Sequence, residues 1–519
     1  MSTAALTPQV EKTLQGPPKA KLGGLFFWDV GRTCPCENRA SMQSVATPPI
    51  DAASRRFLPW VVAVGFFMQA LDVTILNTAL PSMAVALHEN PLRMQGAVVA
   101  YMLTVAMLIP ASGWLADRFG TRNVFILAIA LFSLGSAACA YSPSLGLLIA
   151  ARVLQGVGGA LLVPVGRLVV LRVFPGDAFL PVMSFIAIPS LVGPLIGPTL
   201  GGFLAEYLSW HWIFLINLPV GVVGVLAALR FMPQLRDAAA HGFDWTGFAL
   251  FSGGLVLCSL ALQGLGERTV STALSVMCLT AGAALLAAYW LHAARAPRPL
   301  FELSLFAIPG YRIGLLGNVF ARLGSGATPF LMPMFLQLGL GMAPSTAGLF
   351  MVPSVVGAML TKTLATQLIQ RLGYRRVLTW NTVLVGALIA SFALVERDAS
   401  PLRLVVQLGI YGVFNSLQFT AMNTLTLGAL DAPRASSGNS LLSVVMQLSM
   451  SLGVATSSLF LLLYSGAPVS HETVGVDLMP AFHWTYVSIG LMAMLAAFIF
   501  GQLRDDAPQT VTRSTLTEE

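Results

Sequence analysis

Charge is the scarcest property of this sequence. Only 10% of its 519 residues are Asp, Glu, Lys or Arg, while 56% are hydrophobic and the mean hydropathy is +0.77; soluble domains carry roughly a quarter charged residues. A soluble chain of this composition would need a core larger than domains of roughly 100–200 residues provide, and would leave apolar surface in water. That class is excluded, and an integral membrane protein is specified. Cysteine is scarce as well. Cys34 and Cys36 form a "CPC" with no second pair, and Cys139, Cys258 and Cys278 fall in or beside apolar runs, so neither a zinc site nor a disulfide framework is implied. A long polar segment able to hold a catalytic or signalling domain is lacking, as are a Walker A sequence and a metal-ligand cluster. Enzymatic catalysis, ATP drive, a bound metal and an organic cofactor are therefore not expected. No repeated pore-lining filter marks a channel. The net charge of +7 is scattered singly among loops, without the basic and aromatic clustering that a nucleic-acid partner requires.

What the sequence does have is apolar length. Runs of about 20 residues, enough to cross ~30 Å of hydrocarbon, recur from Phe57 onward. There are fourteen, near residues 57–82, 95–115, 123–142, 146–171, 180–205, 211–231, 245–265, 272–292, 313–337, 346–370, 377–395, 403–428, 437–464 and 482–503. Basic residues between them set the orientation. With the N-terminus inside, thirteen arginines, among them Arg118, Arg122, Arg172, Arg371 and Arg434, lie on the cytoplasmic side; four, Arg93, Arg268, Arg397 and Arg403, lie opposite. Both termini are thus expected in the cytoplasm, in a bacterial-type inner membrane. Residues 1–56 are polar and lack helical periodicity, which predicts a disordered tail, and Met42 is a candidate translation start. Residues 504–519 form a second expected tail.

An internal repeat organises the spans. "GWLADRFGTRNVF" from Gly113 aligns without a gap on "TQLIQRLGYRRVL" from Thr366, an offset of 253 residues that pairs Arg118 with Arg371, Gly120 with Gly373 and Arg122 with Arg375. The offset lays spans 1–6 over spans 9–14. It predicts a six-helix half at 57–231, two inserted helices with their linkers at 232–312, and a second six-helix half at 313–503. Two halves around a mid-membrane site are a transporter architecture.

Several motifs then carry a resemblance to a known family. "GWLADRFGTR" resembles the signature loop between helices 2 and 3 of the major facilitator superfamily, and "RVLQGVGGALLVP" (152–164) its helix 4 motif. "GPLIGPTLGG" (193–202) is similar to the helix 5 motif of its antiporters. "LDVTILNTALP" (71–81) and "WHWIFLINLPVG" (210–221) are similar to segments of its fourteen-helix drug:proton antiporters. The likeness spans about residues 55–505 and implies the major facilitator fold, all-α with fourteen transmembrane helices arranged 6 + 2 + 6. It also implies roles for two motifs. Gly113, Asp117, Arg118, Gly120 and Arg122 would form a conformational latch, Asp117 accepting hydrogen bonds from a helix N-terminus across the bundle in the outward-open state. Gly193, Pro194, Gly197, Pro198, Gly201 and Gly202 would keep the exchanger tight. From the residues alone, that stripe predicts close helix packing and a kink.

Charges inside spans carry the functional signal, because an ion at mid-membrane costs at least ~2.5 kcal/mol and normally faces a cavity or a partner. Five qualify: Asp72, Arg152, Arg167, Arg322 and Lys362. Asp72 lies 16 residues from Arg56, about 24 Å of helix, and Arg152 lies at a similar depth on antiparallel helix 4. A pair between them is expected. It is either a lock between helices 1 and 4 or, since Asp72 is the one acidic residue well inside a span, the proton-coupling site with Arg152 competing with the proton. Arg322, Lys362 and Arg167 then lack an acidic partner in the spans. They read either as cations held by helix carbonyls and snorkelling or as a substrate site for a carboxylate or phosphate. The expectation is an efflux antiporter, monomeric in the bilayer and driven by the proton gradient. Its substrate would be a small organic anion or its metal chelate, with multidrug efflux of lipophilic or cationic compounds as the alternative and an importer of the same fold as a further rival.

Overall fold

The computed structural model describes residues 51–175, 178–236, 242–267, 271–465 and 478–503. By internal contacts the chain divides into Met1–Pro48 and Pro49–Glu519, and the described residues all belong to the second unit. The expectations for residues 1–50, including Cys34, Cys36 and Met42, and for residues 504–519 lie outside the described residues.

Among the described residues the secondary structure is helical throughout. The first half comprises α1 (Ala52–Ala86), α2 (Gln95–Phe119), α3 (Thr121–Ala140), α4 (Leu145–Val173), α5 (Phe179–Tyr207) and a sixth span broken at Ile216 into α6 (His211–Leu215) and α7 (Asn217–Phe231). The inserted pair is α8 (Trp245–Glu267) and α9 (Thr272–Ala293), which pack on each other. The second half comprises α10 (Pro309–Ser325), α11 (Thr328–Met334) with a π-turn at Phe335–Gly339, α12 (Pro344–Ser391), α13 (Pro401–Gly428), α14 (Ala432–Ser465) and α15 (Met479–Phe500).

Local chemistry sets several of these ends. Asp51 has extended backbone (φ −60°, ψ 150°), and its carboxylate accepts the Ser54 amide at 3.1 Å, so α1 begins at Ala52. The expected tail to residue 56 is therefore too long by five residues, because an N-cap aspartate satisfies an otherwise orphaned amide there. Ser144 and Ser271 cap α4 and α9 in the same way. The two aligned glycines of the internal repeat share a left-handed backbone, Gly120 with φ +90° and Gly373 with φ +76°. Gly120 separates α2 from α3, and Gly373 divides α12 into the tenth and eleventh expected spans.

Twelve stretches among the described residues are long and apolar enough to cross a membrane. The other two expected spans are helical but interrupted or shorter. In α8 the apolar stretch is Trp245–Ala261, and the ninth span is broken at Gly326 and Ala327 between α10 and α11.

Candidate functional site

Among the described residues the first half buries one acidic residue, and five helices supply its surroundings. Asp72 of α1 and Arg152 of α4 are each 1% exposed, and Arg152 Nη1 donates to Asp72 Oδ2 at 2.7 Å. Gln155, one turn along α4, donates from Nε2 to Asp72 Oδ1 at 2.7 Å and accepts from Arg152 Nη1 at 2.7 Å. Asn217, at the start of α7, donates to the same Oδ1 at 3.5 Å and to Ser136 Oγ of α3 at 3.0 Å. The guanidinium is held from two further sides. Its Nε donates to the Ala97 carbonyl at 3.3 Å, and its Cζ stands 4.3 Å from the centre of the Tyr101 ring, both on α2. A buried ion pair is tolerable only when its remaining donors and acceptors are satisfied, and here the amides and the aromatic face do so.

The helix 5 motif packs directly on this region. A Cβ added to Gly193 would lie 2.8 Å from the Leu71 backbone nitrogen, and one on Gly197 would meet Thr74. On the other side of α5 the same motif faces the second half: Thr199 Oγ1 donates to Gly348 O at 3.4 Å, and a Cβ on Gly202 would collide with the Pro344 carbonyl. Small residues therefore let α5 approach α1 and α12 together. Pro194, Pro198 and Gly201 lie on this contact stretch.

Other polar contacts between the halves lie toward the same end of the bundle. Gln337 Nε2 donates to Thr78 O at 2.8 Å, the Ser345 amide to Glu206 at 2.9 Å, and Ser458 Oγ to Leu92 O at 3.5 Å. The signature loop sits at the opposite end. There Asp117 accepts from Arg172 Nη2 of α4 at 2.6 Å, within its own half. The expected contact with a helix N-terminus across the bundle is thus not the one present: the carboxylate is taken by the Arg172 guanidinium, and among the described residues nothing beyond Gly113's own stretch of helix lies within 4 Å of where its Cβ would stand. Behind the loop, Gln234 Oε1 accepts the Arg122 and Asn123 amides at 3.1 and 3.3 Å and its Nε2 donates to Phe119 O at 3.2 Å, so the irregular segment after α7 clasps the turn at Gly120. Arg118 is exposed at the end of α2.

Arg322, 3% exposed, lies in the last turn of α10. Its Nε donates to Asn318 Oδ1 at 3.0 Å, and its Cζ stands 4.0 Å from the centre of the Phe419 ring. No acidic side chain pairs with it among the described residues. The negative end of α10, an amide and an aromatic face compensate the charge in part. Arg167 of α4 is exposed and shares no partner with Arg322. Lys362 lies in α12, and its side chain is outside the described residues. The structure thus joins Asp72 to Arg152 but does not join Arg322 to Arg167. Reading the sequence by charge missed Gln155, Asn217, Tyr101, Ser136, Asn318, Phe419 and Gln234. Gln155 and Asn217 lie inside motifs already singled out; the signal for them is that buried charges need neutral donors beside them.

Two halves meeting along α5, α12, α2 and α14, with charged groups buried inside helices, define a membrane transporter that moves small molecules. The chain belongs to the Major Facilitator Superfamily, whose family profile matches residues 62–310 and 314–518. It is 47% identical over 469 residues to a Serratia proteamaculans protein named MdtD and provisionally assigned to multidrug resistance, covering 90% of this chain and 97% of that protein. A Yersinia enterocolitica protein of the same name is 48% identical over 450 residues, covering 86% and 95%. Among solved structures, the nucleoside transporter NupG superimposes with a TM-score of 0.55 at 16% identity, covering 86% of this chain and 98% of that one. A proton-dependent oligopeptide transporter gives 0.60 at 15% identity, with 86% and 98% coverage. At such identities the likeness concerns the fold.

Proposed function

We propose that this protein is a proton-coupled efflux antiporter of fourteen spans, with both termini in the cytoplasm of a bacterial inner membrane and no cofactor. The efflux direction follows the multidrug-resistance name of its relatives and the antiporter-type helix 5 motif. The observation that carries the coupling is the buried Asp72–Arg152 pair, the one place in the described spans where a carboxylate could exchange a proton while its cation is held by neighbours. With the N-terminus inside, the end where α5 meets α12 would be periplasmic, and the contacts between the halves there would correspond to a state closed on that side. In the alternate state Asp117 leaves Arg172 and closes the cytoplasmic end, which is the latch role.

The substrate is a small organic anion or its metal chelate. Supporting this is Arg322, a buried cation whose Nη groups have no protein carboxylate among the described residues; Lys362 and Arg167 would add charge along the path. Multidrug efflux of lipophilic cations is the second reading, favoured by the relatives' name. Purified protein in proteoliposomes with an imposed pH gradient, offered polycarboxylates and cationic dyes in parallel, separates the two. Anion movement that Asp72→Asn abolishes and Arg322→Ala weakens supports the proposal. Movement of dyes alone overturns the anion site, and gradient-driven transport by Asp72→Asn overturns the coupling.

A further inference from the structure

The outer faces of α12 and α13 enclose an open groove of about 570 Å³, its walls formed chiefly by Leu388, Leu394, Leu402, Val406 and Ile410. The groove starts at the membrane end where α12 gives way to the turn Phe392–Leu394 and α13 begins at Pro401. From Leu402 to Ile410 it follows α13 for about 12 Å toward the hydrocarbon. Leu402 and Leu394 are 70% and 67% exposed, so the trough opens to whatever surrounds the bundle. Polar groups gather at its mouth. Arg403 Nη2 donates to the Leu394 carbonyl at 2.9 Å, which fixes the guanidinium over the rim, and no carboxylate pairs with it among the described residues. Just below, Gln407 Nε2 donates to Ser391 Oγ at 2.7 Å and ties the two helices that form the walls.

We infer that this groove is a binding site for one anionic phospholipid, its acyl chain along the Leu402–Val406–Ile410 wall and its phosphate on Arg403. The polarity of the groove changes over those ~12 Å in the sense that a phospholipid's does, from charge at the interface to hydrocarbon beneath. A guanidinium grips a phosphate through two parallel N–H donors. The volume lies within the range of ligand clefts, about 300–1,000 Å³, and an apolar trough on a spanning helix faces acyl chains already. The inference depends on the chain spanning a membrane and not on its substrate.

Native mass spectrometry of protein released from nanodiscs containing phosphatidylglycerol or phosphatidylethanolamine tests this. The unaltered protein is expected to retain one phosphatidylglycerol more firmly than phosphatidylethanolamine. Arg403→Gln should erase that preference, and Val406→Trp, which fills the trough, should remove the retained lipid of either kind. Leu402→Trp at the exposed rim is the second variant should Val406→Trp fail to fold. Equal retention of both lipids by the unaltered protein and by Arg403→Gln overturns the headgroup site. Lipid retention unchanged in both groove-filling variants overturns the groove, and a dimer lost on filling it assigns the face to a second copy instead.

Discussion

Gly193 of α5 stands so close to Leu71 of α1 that any Cβ there would lie 2.8 Å from the Leu71 backbone nitrogen. Leu71 precedes Asp72, so the antiporter-type motif and the buried ion pair share one helix crossing. Gly193→Val must push α1 and α5 apart and displace Asp72 from Arg152 and Gln155. A fall in thermal stability of the kind produced by overpacking, about 1–3 kcal/mol, is expected together with loss of transport. Gly193→Val with unchanged unfolding temperature and transport would mean that the crossing is slack.

Gly113 makes the opposite test. Among the described residues nothing beyond its own stretch of helix lies within 4 Å of its missing Cβ, so Gly113→Val should leave unfolding in detergent unchanged. If the signature loop closes against the other half during the cycle, the same variant should slow transport. Equal turnover by Gly113→Val and the unaltered protein would show that the position stays open throughout.

The ion pair separates partners by role. Arg152→Ala leaves the Asp72 carboxylate buried and uncompensated, and breaking such a pair from one side costs about 3–5 kcal/mol. Asp72→Asn keeps the shape and can still accept from Gln155, but it leaves the buried Arg152 guanidinium without its counter-charge, so it too should lower stability, the Ala97 carbonyl and Tyr101 ring offsetting part of the loss. The double variant Asp72→Asn, Arg152→Gln should recover much of what Arg152→Ala loses. Thermal unfolding of the four proteins in one detergent checks the order.

The repeat, the spans and the partner of Asp72 were legible in the sequence because each rests on spacing. Apolar length fixes a span, a 253-residue offset aligns Gly120 with Gly373, and helix rise sets the depths of Asp72 and Arg152. Partners of Asp117 and Arg322 were not legible. Asp117 is taken by Arg172, a cation 55 residues away on α4 whose reach depends on how the helix ends pack, which spacing does not encode. Arg322 is compensated by Asn318, Phe419 and the α10 carbonyls, neutral groups that carry no charge pattern to read. Gln234 escaped notice because a surface amide that clasps a turn looks like any loop glutamine.

Contacts between the halves give a further prediction. Thr199 and Gly348 approach with a 3.4 Å hydrogen bond at the end where α5 meets α12. Gly348 itself cannot take a cysteine, since a Cβ there would collide with the Pro198 carbonyl oxygen, but a Glu206→Cys, Ser345→Cys pair at the same end, where the Ser345 amide donates to Glu206 at 2.9 Å, should cross-link under mild oxidation and stop transport, and reduction should restore it. Full transport by the cross-linked protein would show that this end never opens.

Arg322 is the place where structural and functional roles can be told apart. Its guanidinium over the Phe419 ring contributes about 2 kcal/mol when desolvated, so Phe419→Leu should lower the unfolding temperature whichever role Arg322 has. Arg322→Lys keeps a cation but loses the forked donors, and Arg322→Ala removes both. If the residue only packs, Arg322→Ala destabilises and reduces transport of every substrate in proportion to folded protein. If it binds the substrate anion, polycarboxylate transport per folded molecule should fall strongly in Arg322→Ala and less in Arg322→Lys, while dye movement is unchanged. Transport normalised to the folded fraction, measured for both substrate classes in the three variants, decides between them; a parallel loss of both classes makes Arg322 structural.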